Sequence, residues 1–184
     1  MTTKPLKKRA TYDDLRDIPD QFVAEMFDGE LYASPRPAVP HAHAASVLGA
    51  KLGGPFHRTG PGGWVILDEP ELHLGNDVLV PDLAGWRRER MQRAPGEAYI
   101  TLAPDWICEV LSASTETLDR GKKLHVYARE GVPHAWLVDP LAHTLEVMSL
   151  EAGRWTQVGR YDGEAKVRAA PFDAIELELG ALWI

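Results

Sequence analysis

Asp82, Glu109 and Lys123 are the residues of this chain whose types and setting combine into a definite chemistry. Asp82 stands within Val78-Leu79-Val80-Pro81-Asp82-Leu83-Ala84, and Glu109 within Trp106-Ile107-Cys108-Glu109-Val110-Leu111. Both runs have the length and apolar content of buried strands. An ionised carboxylate there costs several kcal/mol unless something pairs with it, and a shared cation is the simplest partner. Magnesium, or manganese in its place, takes oxygen ligands, keeps several waters and is commonly held by one or two carboxylates together with substrate phosphate. A metal so held lowers the pKa of a water and stabilises charge on a phosphate oxygen, while a nearby ammonium orients the nucleophile or neutralises the transition state. Lys123, 14 positions after Glu109, is the candidate for that ammonium. Read singly, each acid has a plainer account: Asp82 meets water at a sheet edge, and Glu109 forms an ordinary salt bridge with Lys123.

The elements that must position these groups follow from pattern. Thr11 with Asp14 caps a short helix to about Asp17. Phe22 to Phe27 and Leu31 to Ala33 flank Asp28-Gly29, a hairpin turn. His41 to about His57 reads as a helix, weakened late by Gly53, Gly54 and Pro55. After the Gly60-Pro61-Gly62-Gly63 turn, Trp64 to Leu67, Glu71 to Leu74 and Val78 to Trp86 read as strands. The Glu109 strand is followed by a helix opening near Ser112-Ala113-Ser114-Thr115, running to about Glu130 and closed by Gly131. The strand Ala135 to Asp139 completes a βαβ unit with parallel strands and a right-handed crossover. On its helix Asp119, Lys123 and Tyr127 fall at i, i+4 and i+8, one face. His143 to Leu150, Arg154 to Tyr161 and Ala174 to Leu179 form a terminal β ribbon.

Composition bounds the answer. The chain has 184 residues, 45% of them hydrophobic, enough for one substantial core. Residues 1–10 read as a flexible basic leader and 11–184 as a single domain. The apolar stretches are too short for a membrane span and no signal segment opens the chain, so the expected location is cytoplasmic. Cys108 is the single cysteine, which excludes an internal disulfide. A net charge of −7 argues against a protein that holds nucleic acid by charge alone. Local basic groups nevertheless follow both acids, with Arg87, Arg88, Arg90 and Arg93 after Asp82 and Arg120, Lys122 and Lys123 after Glu109.

The same residues carry a resemblance. Pro81-Asp82, Glu109-Val110-Leu111-Ser112, Asp119 with Lys123 and Tyr127, Gly131-Val132 and Trp136-Leu137-Val138-Asp139-Pro140 are similar to the Uma-two family of bacterial endonucleases. Glu25-Met26-Phe27-Asp28-Gly29-Glu30-Leu31, Ser34-Pro35 and His41 extend the likeness, which spans about residues 12 to 150. That family belongs to the PD-(D/E)XK, restriction-endonuclease-like superfamily. The resemblance implies an α/β (α+β) fold: a mixed central β-sheet flanked by helices, with extra β hairpins, forming a nuclease-like domain. It also implies a divalent-metal site, cleavage of phosphodiester bonds in DNA and a homodimer. Where the motif has lysine, this chain has Leu111, so Lys123 must bring its ammonium in from the following helix. The superfamily further implies a metal contact from the Val110 carbonyl.

Other residues have weaker claims. Glu71 and His73 share one side of their strand, and an antiparallel neighbour would place Glu71 beside Asp82 as a third carboxylate. Glu25 is a candidate accessory acid, and otherwise a hairpin residue. His41 and His43 suit a helix start or a phosphate contact better than zinc. Asp119 positions Lys123, and Tyr127 packs and hydrogen-bonds. Arg87, Arg88, Arg120 and Lys122 are expected on phosphates. Two alternatives stand beside a DNA endonuclease: a nuclease-fold binding module without turnover, and a phosphodiesterase acting on RNA or a small substrate.

Overall fold

A computed structural model of the chain describes residues 9–58 and 61–184. Most of the basic leader, with Lys4, Lys7 and Lys8, and Gly60 of the glycine-rich turn lie outside the described residues. Thr11 and Asp14 form a capping box on helix α1 (Tyr12–Arg16). Strands β1 (Phe22–Phe27) and β2 (Glu30–Pro35) make the expected hairpin. Its turn requires positive φ at both central residues, and Asp28 (55°) and Gly29 (76°) supply it. Helix α2 (Val39–Leu52) starts two residues before His41, because Pro40 is tolerated in a first turn whose N–H groups have no intrahelical partner. It continues into a π-helical turn, Gly53–Arg58.

The next strands are β3 (Trp64–Asp68), β4 (Leu72–Leu74), β5 (Asp77–Leu79), β6 (Leu83–Arg87) and β7 (Trp106–Val110). Here one expectation is corrected: Val78 to Trp86 is two strands in two different sheets. Pro81 has no N–H to give to a ladder, so the chain leaves one sheet and enters the other at Val80-Pro81-Asp82. Asp82 therefore sits at a corner.

After β7 come α3 (Glu116–Leu118), a π-helical turn (Asp119–Lys123) and α4 (Leu124–Arg129), then Gly131 at φ 74°. Strand β8 (His134–Asp139) pairs parallel to β7, as a βαβ unit requires. A long hairpin of β9 (Thr144–Glu151) and β10 (Arg154–Asp162) follows, then β11 (Lys166–Val167) and β12 (Leu177–Glu178). The large sheet has the order β10-β9-β8-β7-β6-β3, and the smaller antiparallel one β2-β1-β5-β4. This is a mixed α/β fold with a large mixed sheet flanked by few helices.

Alternation along β7 divides the core. Trp106, Cys108 and Val110 pack with α2 and the C-terminal segment, whereas Ile107 and Leu111 pack with α4, β4 and β5. Glu109 belongs to the second face, between two buried aliphatic residues. On the first face, Phe172 has ring neighbours Phe56, Trp64, Trp106 and Trp136 at 4.7–5.6 Å. Phe172→Ala should lower unfolding free energy by about 3–5 kcal/mol, read as an earlier urea midpoint; a loss below about 1 kcal/mol would show that this ring cluster is not a keystone.

Candidate active site

Four elements meet at the corner where the two sheets separate. β1 delivers Glu25, the β5–β6 corner delivers Asp82, β7 delivers Glu109, and the π-helical turn delivers Asp119 and Lys123. Glu25 reaches the site through strand parity: Val23, Glu25 and Phe27 share a face, and Phe27 is anchored in the core. Pairing of Met26 with Val78 holds β1 against β5.

Lys123 is the hub. Its Nζ lies 3.0 Å from Glu109 Oε2, 3.0 Å from Glu25 Oε1 and 3.6 Å from Asp119 Oδ1. All four residues are buried. Glu109 Oε1 accepts from the Tyr127 hydroxyl at 2.8 Å, and Glu25 Oε1 also accepts from Val80 N–H at 2.8 Å. Asp82 Oδ2 accepts from Val110 N–H at 2.6 Å, which fixes it beside the end of the Glu109 strand. Its other oxygen lies 3.3 Å from His41 Nε2, and the imidazole also meets the Val110 backbone. His41 Nδ1 is buried without a hydrogen-bond partner.

The charge balance is uneven. Glu25, Glu109 and Asp119 surround a single ammonium, and Asp82 adds a further carboxylate close by. Burial pushes the Glu109 carboxyl well above the usual range, the neighbouring acids add to this, and Lys123 opposes it. Asp119 is raised for the same first reason. Burial opposes the charge on Lys123, but Glu109 and Glu25 outweigh it and hold the ammonium protonated well above its ordinary value. His41 shows the same contest: burial favours the neutral ring, yet Asp82 raises its pKa overall.

The acids form the floor of a cleft of about 390 Å³ lined also by Arg36, Glu69, His41 and the backbone from Val110 to Thr115. Asp82, Glu109, Val110, Lys123, Glu25, His41 and Asp119 all border it, and Tyr127 reaches it through Glu109. Glu71 does not. It accepts from the Tyr12 hydroxyl at 2.8 Å and lies 2.6 Å from His73 Nε2, on a strand face turned away from the cleft. Glu25, in contrast, lines the cleft and joins Glu109 and Asp119 around Lys123.

The expected phosphate contacts are also elsewhere. Arg87 and Arg88 follow Asp82 by the length of β6, roughly 16 Å. There Arg87 covers the Trp64 ring, and Arg88 donates to the His57 and Trp64 carbonyls. Arg120 is bound by Glu116 and Glu146, and Lys122 by Glu30 and Tyr32. No periodic element announces Arg36, at the cleft mouth between two prolines, or Glu69, in the bend before Pro70.

The family model of Uma2, described as "Putative restriction endonuclease", matches residues 9–180. The chain belongs to the Uma2 family. Among solved structures it is similar to a "putative nuclease belonging to DUF820" from Anabaena variabilis, with 21% identity and a TM-score of 0.77. The alignment covers 94% of this chain and 97% of the other. At that identity the likeness speaks for the fold. No curated protein matches the chain.

For this Uma2 member, removing the hub charge tests the electrostatic account. Acids with raised folded pKa values bind more protons folded than unfolded, so their effect on stability worsens as pH rises through those values. Lys123 offsets this by attracting the acids once they ionise, a contribution present up to its own raised value and fading as pH falls and the acids take up protons. Lys123→Met should therefore cost about 3–5 kcal/mol at neutral pH, with the deficit shrinking as pH falls into the carboxyl range. Urea unfolding across pH checks this; a deficit independent of pH would refute the charge assignment.

Proposed function

We propose that the chain is a magnesium- or manganese-dependent endonuclease hydrolysing phosphodiester bonds in DNA. The observation that carries this reading is the buried surplus of carboxylate over ammonium at the floor of an open cleft. Such a surplus is costly on its own and is offset by protonation or by a cation.

The donor set fits a hard divalent ion. Each carboxylate oxygen of Asp82 and Glu109 accepts hydrogen bonds with part of its lone-pair capacity and keeps the rest. Asp82, Glu109 and the Val110 carbonyl would hold the metal. When bound, it would lower the pKa of a water and withdraw charge from a phosphate oxygen. The side chains supply the remainder. Lys123, fixed by Glu25, Glu109 and Asp119, presents a permanent positive charge to the phosphate or the attacking water. Tyr127 fixes the orientation of Glu109. His41, with its Nε2 beside Asp82, can hold or release a proton against that carboxylate.

One observation favours a second reading, a nuclease-fold binding module without turnover: among the described residues no group of three or more His, Cys, Asp and Glu is already arranged around a metal position. Calorimetric titration with Mg²⁺ or Mn²⁺ separates the two readings, since only the enzyme requires saturable binding that Asp82→Asn removes. In a cleavage assay Asp82→Asn and Glu109→Gln should each lower metal-dependent DNA hydrolysis by about 10²-fold or more, with circular dichroism unchanged. Undiminished cleavage by the Asp82 variant would refute the assignment, and comparison of DNA, RNA and a small phosphodiester identifies the substrate.

A further inference from the structure

Above its acidic floor the cleft has apolar walls, among them Val23, Pro37, Pro40, Leu111, Pro140 and Leu141. Leu141 is 72% exposed at the rim. It is held there because its own N–H and that of Ala142 donate to Asp139 Oδ1 at 2.9 and 2.8 Å. Val39, between the lining residues Ala38 and Pro40, is equally exposed.

Positive charge is sparse at the same place. A protein that grips duplex DNA does so chiefly with Lys and Arg on the phosphates of both strands. Of the cations lining the cleft, Lys123 is buried and shared among three carboxylates, and His41 is engaged by Asp82. Arg36 alone faces outward from the lining. Its guanidinium donates to the Asp20 carbonyl at 2.9 Å, and among the described residues no carboxylate pairs with it. The cleft, about 390 Å³, falls in the roughly 300–1,000 Å³ range of sites for a single small ligand. That volume matches about one nucleotide. An apolar wall suits the face of a base that has left its stack, and the single guanidinium suits one adjacent phosphate.

We infer that the cleft takes single-stranded DNA, with one unstacked base against Leu141 and the proline wall and Arg36 on the neighbouring phosphate. The inference rests on the nuclease reading above and names its substrate class. Fluorescence anisotropy in metal-free, low-salt buffer tests it without turnover, using one labelled oligonucleotide as a single strand and as a duplex. The single strand should bind about tenfold tighter, and Leu141→Ser should weaken it by about fivefold or more. Arg36→Ala should reduce the salt slope of single-strand binding by about one phosphate contact. Duplex binding as tight as single-strand binding, or a Leu141 variant indistinguishable from the parent, would overturn the inference. Cleavage separates the two claims. A chain that prefers single strands but hydrolyses none overturns only the nuclease reading, whereas one that cuts duplex in preference overturns only the single-strand assignment.

Discussion

The ammonium of Lys123, held out of water by carboxylates from three separate elements, is the interaction on which the cleft depends. It ties β1 through Glu25, β7 through Glu109 and its own π-helical turn through Asp119, and it lies 3.4 Å from the Val80 carbonyl at the end of β5. The two sheets diverge just here, so without it their carboxylates would repel one another across the gap. A buried ionic cluster gains little net stability over well-packed apolar residues of similar volume. Leu or Met in these positions would hold the sheets together at least as well. The fold bears a cost to keep charge at the floor of the cleft.

Many of the other described cations are paired locally. Arg120 joins Glu116 and Glu146, Arg160 joins Glu146, Arg129 joins Asp77 at the end of the hairpin turn, and Arg90 joins Asp105. These pairs are partly exposed and each contributes little to stability. Their collective effect is to leave the cleft mouth with apolar rims and one outward guanidinium. For a chain of net charge −7, local placement of charge then matters more than the total.

Where an element was periodic and its partner close in sequence, the residues announced the structure. The Asp28-Gly29 hairpin, the β7–helix–β8 unit and the approach of Lys123 to Glu109 all follow from alternation, glycine placement and helix spacing. Errors arose where a decision lay in three dimensions. Pro81 marks an interruption of the ladder, but the residues around it do not say that the strands on either side belong to different sheets. Glu71 against Glu25 was a question of parity. In β4 the buried residues are Leu72 and Leu74, which turns Glu71 and His73 outward, whereas in β1 Glu25 shares its face with buried Phe27. Arg87, Arg88, Arg120 and Lys122 looked alike as a basic set because side-chain partners distant in sequence cannot be read from composition.

The ammonium beside Glu109 comes from a second element, the turn that carries Lys123, and not from the Glu109 strand itself. Leu111, two residues after Glu109, is buried at 3% exposure and packs with the α4 core, so an ammonium in that position would stand among aliphatic side chains. The helix opposite offers a different approach. Its π-helical turn, Asp119–Lys123, is an irregularity often found at functional sites, and it turns both Asp119 and Lys123 inward while α4 continues with Leu124, Val126 and Tyr127 buried. Trp155 Nε1 donates to the Leu124 carbonyl, and Tyr127 donates to Glu109, so the helix is clamped from the β9–β10 hairpin and from β7 at once. An ammonium supplied by a second element is only as well placed as the docking of that element. The aromatic clamps just after the turn fix α4, and with it the Lys123 ammonium, against Glu109.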